Sequence, residues 1–309
     1  MIFVSGDVHD MDMGGADQGL LTASYPGTEM HCAVKYAHIA ARYRVRVSLF
    51  VSGRAAQSEP HALEDLARNP YVEIGGHTWN CLQPPWRHIL RERLTGSFYG
   101  SYNRQFKDIR GTLREIGRVT GTSPLSWRTH AYRGDSVTNR ILDDQGCRVV
   151  SDTVGPERGI ERVGRFLWSL PVNTPPDHEY LFHGRFTPKW HEMDQLLRRR
   201  PWMVFRYPTA LWRWKRALKE LGKKGFGIRV PSRPFGDVYV NERIWTDWLL
   251  QEVRDRLSWA GFATLLLHPA CMEVLDGMQT FEFILEKLSS QETGFASVAA
   301  SWQPCRVAS

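Results

Sequence analysis

The sequence predicts an α/β fold in which strands and helices alternate, and two observations carry that expectation. Short apolar runs are separated by longer stretches of helical pattern, and several runs end abruptly in Asp, His or Gly, as at Asp7, Gly53, His77 and His268. Polar residues at the carboxyl ends of successive strands are where α/β sheets and barrels build their sites.

Taken in order, Ile2-Phe-Val-Ser-Gly-Asp-Val-His9 reads as a strand that runs straight into acidic and imidazole side chains. Strand alternation puts Asp7 and His9 on the same side. A helix is expected over 29–43, then a buried strand over 46–51 ending at Gly53, a helix over 60–68 and a strand over 71–75. Further helices are expected over 86–118, 135–145, 242–260 and 279–290, and further strands over 125–128, 147–151, 166–172 and 263–268. Pro171, Pro175 and Pro176 argue for a rigid extended loop, which either places Asp177 or His178 at a site or simply makes a turn.

Glu73-Ile-Gly-Gly-His-Thr-Trp-Asn-Cys81 is the most informative segment, because His77 and Cys81 stand four apart directly after an apolar run. A helical turn beginning at Gly76 would project both from one face, where they could grip one metal ion. The competing reading of Cys81 is a small buried hydrophobe.

Five segments carry a resemblance: Ser5-Gly-Asp-Val-His9, Leu49-Phe-Val-Ser-Gly53, His77-Thr-Trp-Asn-Cys81, Trp127-Arg-Thr-His-Ala-Tyr132 and Leu267-His268. In their order and spacing they resemble the landmarks of the polysaccharide deacetylase family, the NodB-homology or carbohydrate esterase family 4 enzymes. The resemblance implies a distorted (β/α) barrel and metal-assisted hydrolysis of an N-acetyl group. It implies Asp7 as general base, His268 as general acid and Arg128 as the residue that orients and tunes the base. Two departures stand out. Cys81 replaces the family's second metal-binding His, and Val8 replaces the second of two adjacent Asp residues, of which one is a ligand. A thiolate is a good zinc ligand at about 2.3 Å, so the expected metal set is His9, His77 and Cys81, with Asp10 as the alternative to His9. Zinc is the expected ion.

Substrate contacts are expected from His130, Tyr132, Asp177 and Trp79, and stacking surfaces from Trp86, Trp127 and Trp168. Structural roles compete with these: Arg128 can pair with Asp152 or Asp135, and His268 can cap a core strand. An amide or imide hydrolase with a non-sugar substrate, and a metal-free sugar-binding homologue, are the alternative functions.

At 309 residues the chain suits one elaborated α/β domain, since no repeat, low-complexity tract or Gly/Ser linker divides it. Its anomaly lies within about 178–240. Between Lys189 and Arg233, Trp is interleaved with Arg and Lys, and this stretch carries much of the net charge of +7. Such a stretch can contact a membrane surface peripherally, or clamp phosphates and stack on rings; it also fits a solvated helix with its Trp side chains facing the core. Nucleic acid is not an expected partner, because no recognised binding module accompanies the charge. Five cysteines, dispersed at 32, 81, 147, 271 and 305, do not suggest a disulfide framework. Met1 leads directly into the first strand, so no secretory leader is read and a cytoplasmic location is expected. That location favours a small, nucleotide-linked or lipid-linked amino sugar over a polymer. The oligomeric state is not legible.

Overall fold

Alternate residues of the first strand, β1 (Ile2–Val8), face two different interiors, and all seven are buried. Ile2, Val4 and Val8 join the larger apolar core beneath the helices, whereas Phe3 joins a smaller cluster with Phe50, Val149, Leu170 and Phe262 on the other face of the sheet. Ser5 and Asp7 share the side of Phe3 by the two-residue period of a strand. The same alternation recurs in β2 (Val47–Val51), where Val47, Leu49 and Val51 enter the larger core and Phe50 the smaller one. Strands buried on both faces belong to sheets covered by helices.

The computed structural model describes residues 1–10, 27–83, 85–177, 204–206, 238–240 and 242–302. The main sheet has nine strands in the order β10-β1-β2-β3-β4-β5-β7-β6, with β11 also paired to β1. The remaining strands are β3 (Val72–Gly76), β4 (Ser126–Trp127), β5 (Val149–Val150), β6 (Glu161–Arg162), β7 (Trp168–Ser169), β10 (Ala263–Leu266) and β11 (Thr293–Gly294). All pairings are parallel except β6 with β7. The sheet curls into a half-barrel with helices outside it, an α/β fold as the strand and helix alternation predicts. Two short strands, β8 (Val204–Arg206) and β9 (Val238–Val240), pair antiparallel apart from it. The rest of the basic, Trp-rich segment, and with it the expected membrane contact over 189–233, lies outside the described residues apart from β8.

Helices α1 (Glu29–Arg42), α2 (Gly53–Ser58), α3 (Pro60–Arg68), α4 (Pro85–Thr95), α5 (Tyr102–Thr120), α6 (Ser136–Asp144), α7 (Glu242–Ala260), α8 (Pro269–Asp276) and α9 (Gln279–Leu288) complete the described elements, together with 3-10 turns at His130–Tyr132 and Ala296–Ala300. Thr28 caps α1, its hydroxyl accepting from the His31 amide at 3.2 Å. Tyr36 of α1 stacks on Phe281 of α9 at 3.7 Å between ring centroids, joining two helices distant in sequence. The helix expected over 86–118 is two helices. Gly96 and Gly100, both at positive φ, interrupt it, a conformation glycine adopts without steric cost.

Gly6 is required by close approach. A Cβ there would stand 2.6 Å from the Leu267 carbonyl oxygen and 2.8 Å from Pro269 Cδ, so the absence of a side chain lets β1 lie tight against the segment that carries His268.

Candidate active site

The interior column Phe3, Ser5, Asp7 climbs from apolar to charged, and Arg128 makes that tolerable. Its guanidinium is 1% exposed. Nη1 donates to Asp7 Oδ1 at 2.9 Å, Nη2 to Ser5 Oγ and Ser151 Oγ at 2.9 Å each, and Nε to the Ser151 carbonyl at 3.2 Å. Its Cζ lies 4.3 Å from the Phe50 ring centroid. A buried charge needs this degree of satisfaction. Asp7 is the ionic partner, not the Asp152 or Asp135 that a purely structural role offered. Asp152 instead accepts from the Thr129 amide at 2.5 Å and Asp135 caps α6. Burial works to raise the Asp7 carboxyl, but Arg128 first, then His268 and His77, hold it well below the usual carboxylate range.

His268 follows β10 and precedes α8. Its amide and Nδ1 face the two oxygens of Asp177, at 2.7 Å and 2.8 Å, and its Nε2 lies 3.7 Å from Asp7 Oδ2. Burial alone would lower its pKa; Asp177 and then Asp7 reverse that and raise it to about 10. His268 is therefore a protonated imidazolium between two carboxylates. Asp177, expected at substrate, is fully buried and holds the His268 amide and ring. Trp127 is fully buried as well, so its expected role as a stacking surface is not open to it.

Beside this pair, His9, His77, Cys81 and His130 place one donor atom each within 4.8 Å of one another. The three imidazole centroids form a near-equilateral triangle, with sides of 5.2, 5.2 and 5.4 Å. Imidazoles bound through nitrogen to one tetrahedral zinc at about 2.0–2.1 Å set their centroids roughly 5.2 Å apart, so the spacing fits a shared ion. His77 Nε2 and His130 Nδ1 are 3.3 Å apart, compatible with two donors on one metal as well as with a hydrogen bond. His9 Nε2 is buried without a hydrogen-bond partner, an unfavourable state that a cation would relieve. Burial pushes His77 down to about 3 and Cys81 well above the ordinary thiol value. His77 thus stands neutral, as a ligand must be, while Cys81 would release its proton on binding metal. The residues fit a divalent ion.

The local backbone explains how these donors meet. The spacing suggested that His77 and Cys81 share a helical face; instead they lie in a non-helical loop whose residues 79–82 form a turn. The turn is tied down by Trp79 N to Asp108 Oδ1 at 2.8 Å, Arg54 N to the Trp79 carbonyl at 3.0 Å and Gln83 N to the Asn80 carbonyl at 3.1 Å. Cys81 and Leu82 have φ of 52° and 56°, and Ala131 and Tyr132, just after His130, have φ of 54° and 57°. Two consecutive left-handed non-glycine residues in each donor loop cost on the order of 1–3 kcal/mol apiece, and such strain concentrates at functional sites. Trp79, expected at substrate, is half-buried with its ring against Gly53 and Gly111. Tyr132 is half-buried beside His130.

Asp10, the alternative to His9, turns away to Arg54 Nε and Ser58 Oγ, both at 3.0 Å. Sequence reasoning placed His130 among substrate contacts and overlooked Glu29, whose Oε2 accepts from the His9 amide at 2.7 Å and lies 3.0 Å from His9 Nδ1.

No family model and no curated protein matches the sequence. The fold matches solved structures across nearly the whole chain. A putative polysaccharide deacetylase from Mycobacterium smegmatis is similar at TM-score 0.59 and 16% identity, covering 97% of this chain and 89% of that one. A probable polysaccharide deacetylase from Pseudomonas aeruginosa PAO1 gives TM-score 0.54 at 12% identity, with 97% and 90% covered. Puue allantoinase gives 0.57 at 11% identity, with 99% and 91% covered. The chain has the fold of the polysaccharide deacetylases.

Proposed function

We propose that this protein is a metal-dependent hydrolase that removes an N-acetyl or other N-acyl group from an amino sugar. The observation that carries the reading is one carboxylate, Asp7, standing between Arg128 and a protonated His268 and electrostatically coupled to His77 and His9 of the donor cluster. Proposed metal donors are His9, His77 and Cys81, with His130 completing the set, and zinc suits imidazole and thiolate together. Bound there, the ion would supply Lewis-acid polarisation of the acyl oxygen and of a water molecule.

The chain's own groups supply the proton transfers. Asp7, held ionised by Arg128, accepts a proton from the attacking water as its oxygen bonds to the acyl carbon. A carboxylate held so low is a weak base, which is why an acidified water is needed. His268 donates its Nε2 proton to the amide nitrogen as the C–N bond breaks, leaving a free amine and a carboxylic acid. Asp177 keeps His268 charged and fixes its ring, with Nδ1 toward the carboxylate and Nε2 toward the site. Tyr132 is a proposed substrate contact.

A small, nucleotide-linked or lipid-linked amino sugar is the proposed substrate. A second reading, amide or imide hydrolysis on a non-sugar substrate, draws support from the fold shared with an allantoinase. Metal-loaded protein, assayed for acetate release from N-acetylated sugars and for ring opening of cyclic imides, tests both. Release from neither class, by protein that holds its metal, would overturn the hydrolase reading.

A further inference from the structure

Glu29 is buried, 4% exposed, at the first position of α1 directly after the Thr28 cap. The helix N-terminus favours its negative charge. Its Oε2 takes both the His9 amide, at 2.7 Å, and His9 Nδ1, at 3.0 Å. One carboxylate oxygen therefore fixes the backbone and the ring of the same residue. With Nδ1 so engaged, His9 Nε2 is left buried and without a partner, on the ring that stands 5.2 Å from both His77 and His130.

We infer that Glu29 is a positioning residue for the metal: it holds His9 with the proton on Nδ1, so that Nε2 is the donor presented to His77, His130 and Cys81. The inference rests on the metal reading above. Its chemical consequence is a negative charge one shell out. Bound to metal, the donor set would be three neutral imidazoles and one thiolate, and a carboxylate behind a ligating imidazole fixes its tautomer and raises its basicity.

Glu29→Gln keeps the shape and an amide oxygen for the His9 backbone, and removes the charge. Zinc affinity, measured by competition with a chromophoric chelator, is expected to fall by roughly 10–100-fold, while the metal-free protein melts close to wild type. In a His9→Gln background the same change should add nothing, because Glu29 acts through His9. Zinc affinity unchanged in Glu29→Gln, or losses that add in the double variant, would overturn the inference. Should Glu29→Gln not fold, Glu29→Asp serves in its place, with the same expected weakening of zinc binding and the same double-variant test. Wild-type protein that binds no zinc would instead overturn the metal reading on which the inference stands.

Discussion

Asp177→Asn isolates the charge that keeps His268 protonated. The substitution is nearly isosteric, and its amide oxygen can still accept from the His268 backbone, now 2.7 Å from Asp177 Oδ2. What disappears is the negative charge 2.8 Å from Nδ1. In the wild type, burial depresses His268 and the two carboxylates more than offset it, carrying the pKa from 6.5 to about 10. At 1.36 kcal/mol per unit, that rise corresponds to about 5 kcal/mol favouring the charged ring. A raised pKa stabilises the fold fully below the unfolded value near 6.5, and the contribution is lost as pH rises through about 10. With Asp177 neutralised only Asp7 remains, and burial is unchanged, so we expect the midpoint to fall by roughly two units or more. Histidine ring titration by NMR on metal-depleted protein, with His268 assigned through His268→Gln, reads this directly. Under the proposed mechanism the alkaline limb of kcat/KM of the metal-loaded protein should move down with it, because His268 must be protonated to act as the acid. A midpoint in Asp177→Asn indistinguishable from wild type would refute the reasoning.

Arg128→Met should destabilise the fold by about 3–5 kcal/mol, because Asp7 is left buried without its partner; chemical denaturation measures this. Asp7 has a depressed folded pKa, so its contribution is present above the unfolded carboxylate value and is lost as pH falls through the lower folded one; the penalty in Arg128→Met should accordingly shrink under acid, and a penalty independent of pH would contradict the pairing. Cys81→His should retain metal and Cys81→Ala should weaken its binding, as read by chelator competition, whereas unchanged metal content in Cys81→Ala would remove the thiol from the donor set. Gly53→Ala places a methyl against the Trp79 ring and 2.7 Å from Thr112 Oγ1, and overpacking of this kind costs about 1–3 kcal/mol, visible as a lowered Tm; a neutral result would mean that the loop at residues 77–83 can shift freely.

The strands were legible because doubly buried runs such as Ile2–Val8 are apolar apart from the short Ser5–Asp7 stretch. Asp7, Arg128 and His268 were singled out through residue type and chain order, and the structure brings all three to one pair of contacts. His77 and Cys81 were singled out for a spacing that a helix would explain, yet a turn with left-handed residues brings them together. Periodicity carries no information about such turns. The placement of His130 beside His9 and His77 was not legible, since the conformation at Ala131 and Tyr132 that follows it has no glycine to announce it. Glu29 looked like any acid in a first helical turn; only the tertiary contact with His9 distinguishes it. The break in the helix expected over 86–118 did have a signal, Gly96-Ser-Phe-Tyr-Gly100, in the two glycines that flank it.

His9, His77, Cys81 and His130 are proposed to hold a metal beside Asp7 and His268. Elemental analysis of the purified protein beside His77→Ala tests this most directly. About one divalent ion per chain is expected, lost in a His77→Ala variant that still folds. A folded wild-type protein that contains no metal and cannot be reloaded with zinc would contradict it, and would leave the fold serving sugar binding or a different chemistry.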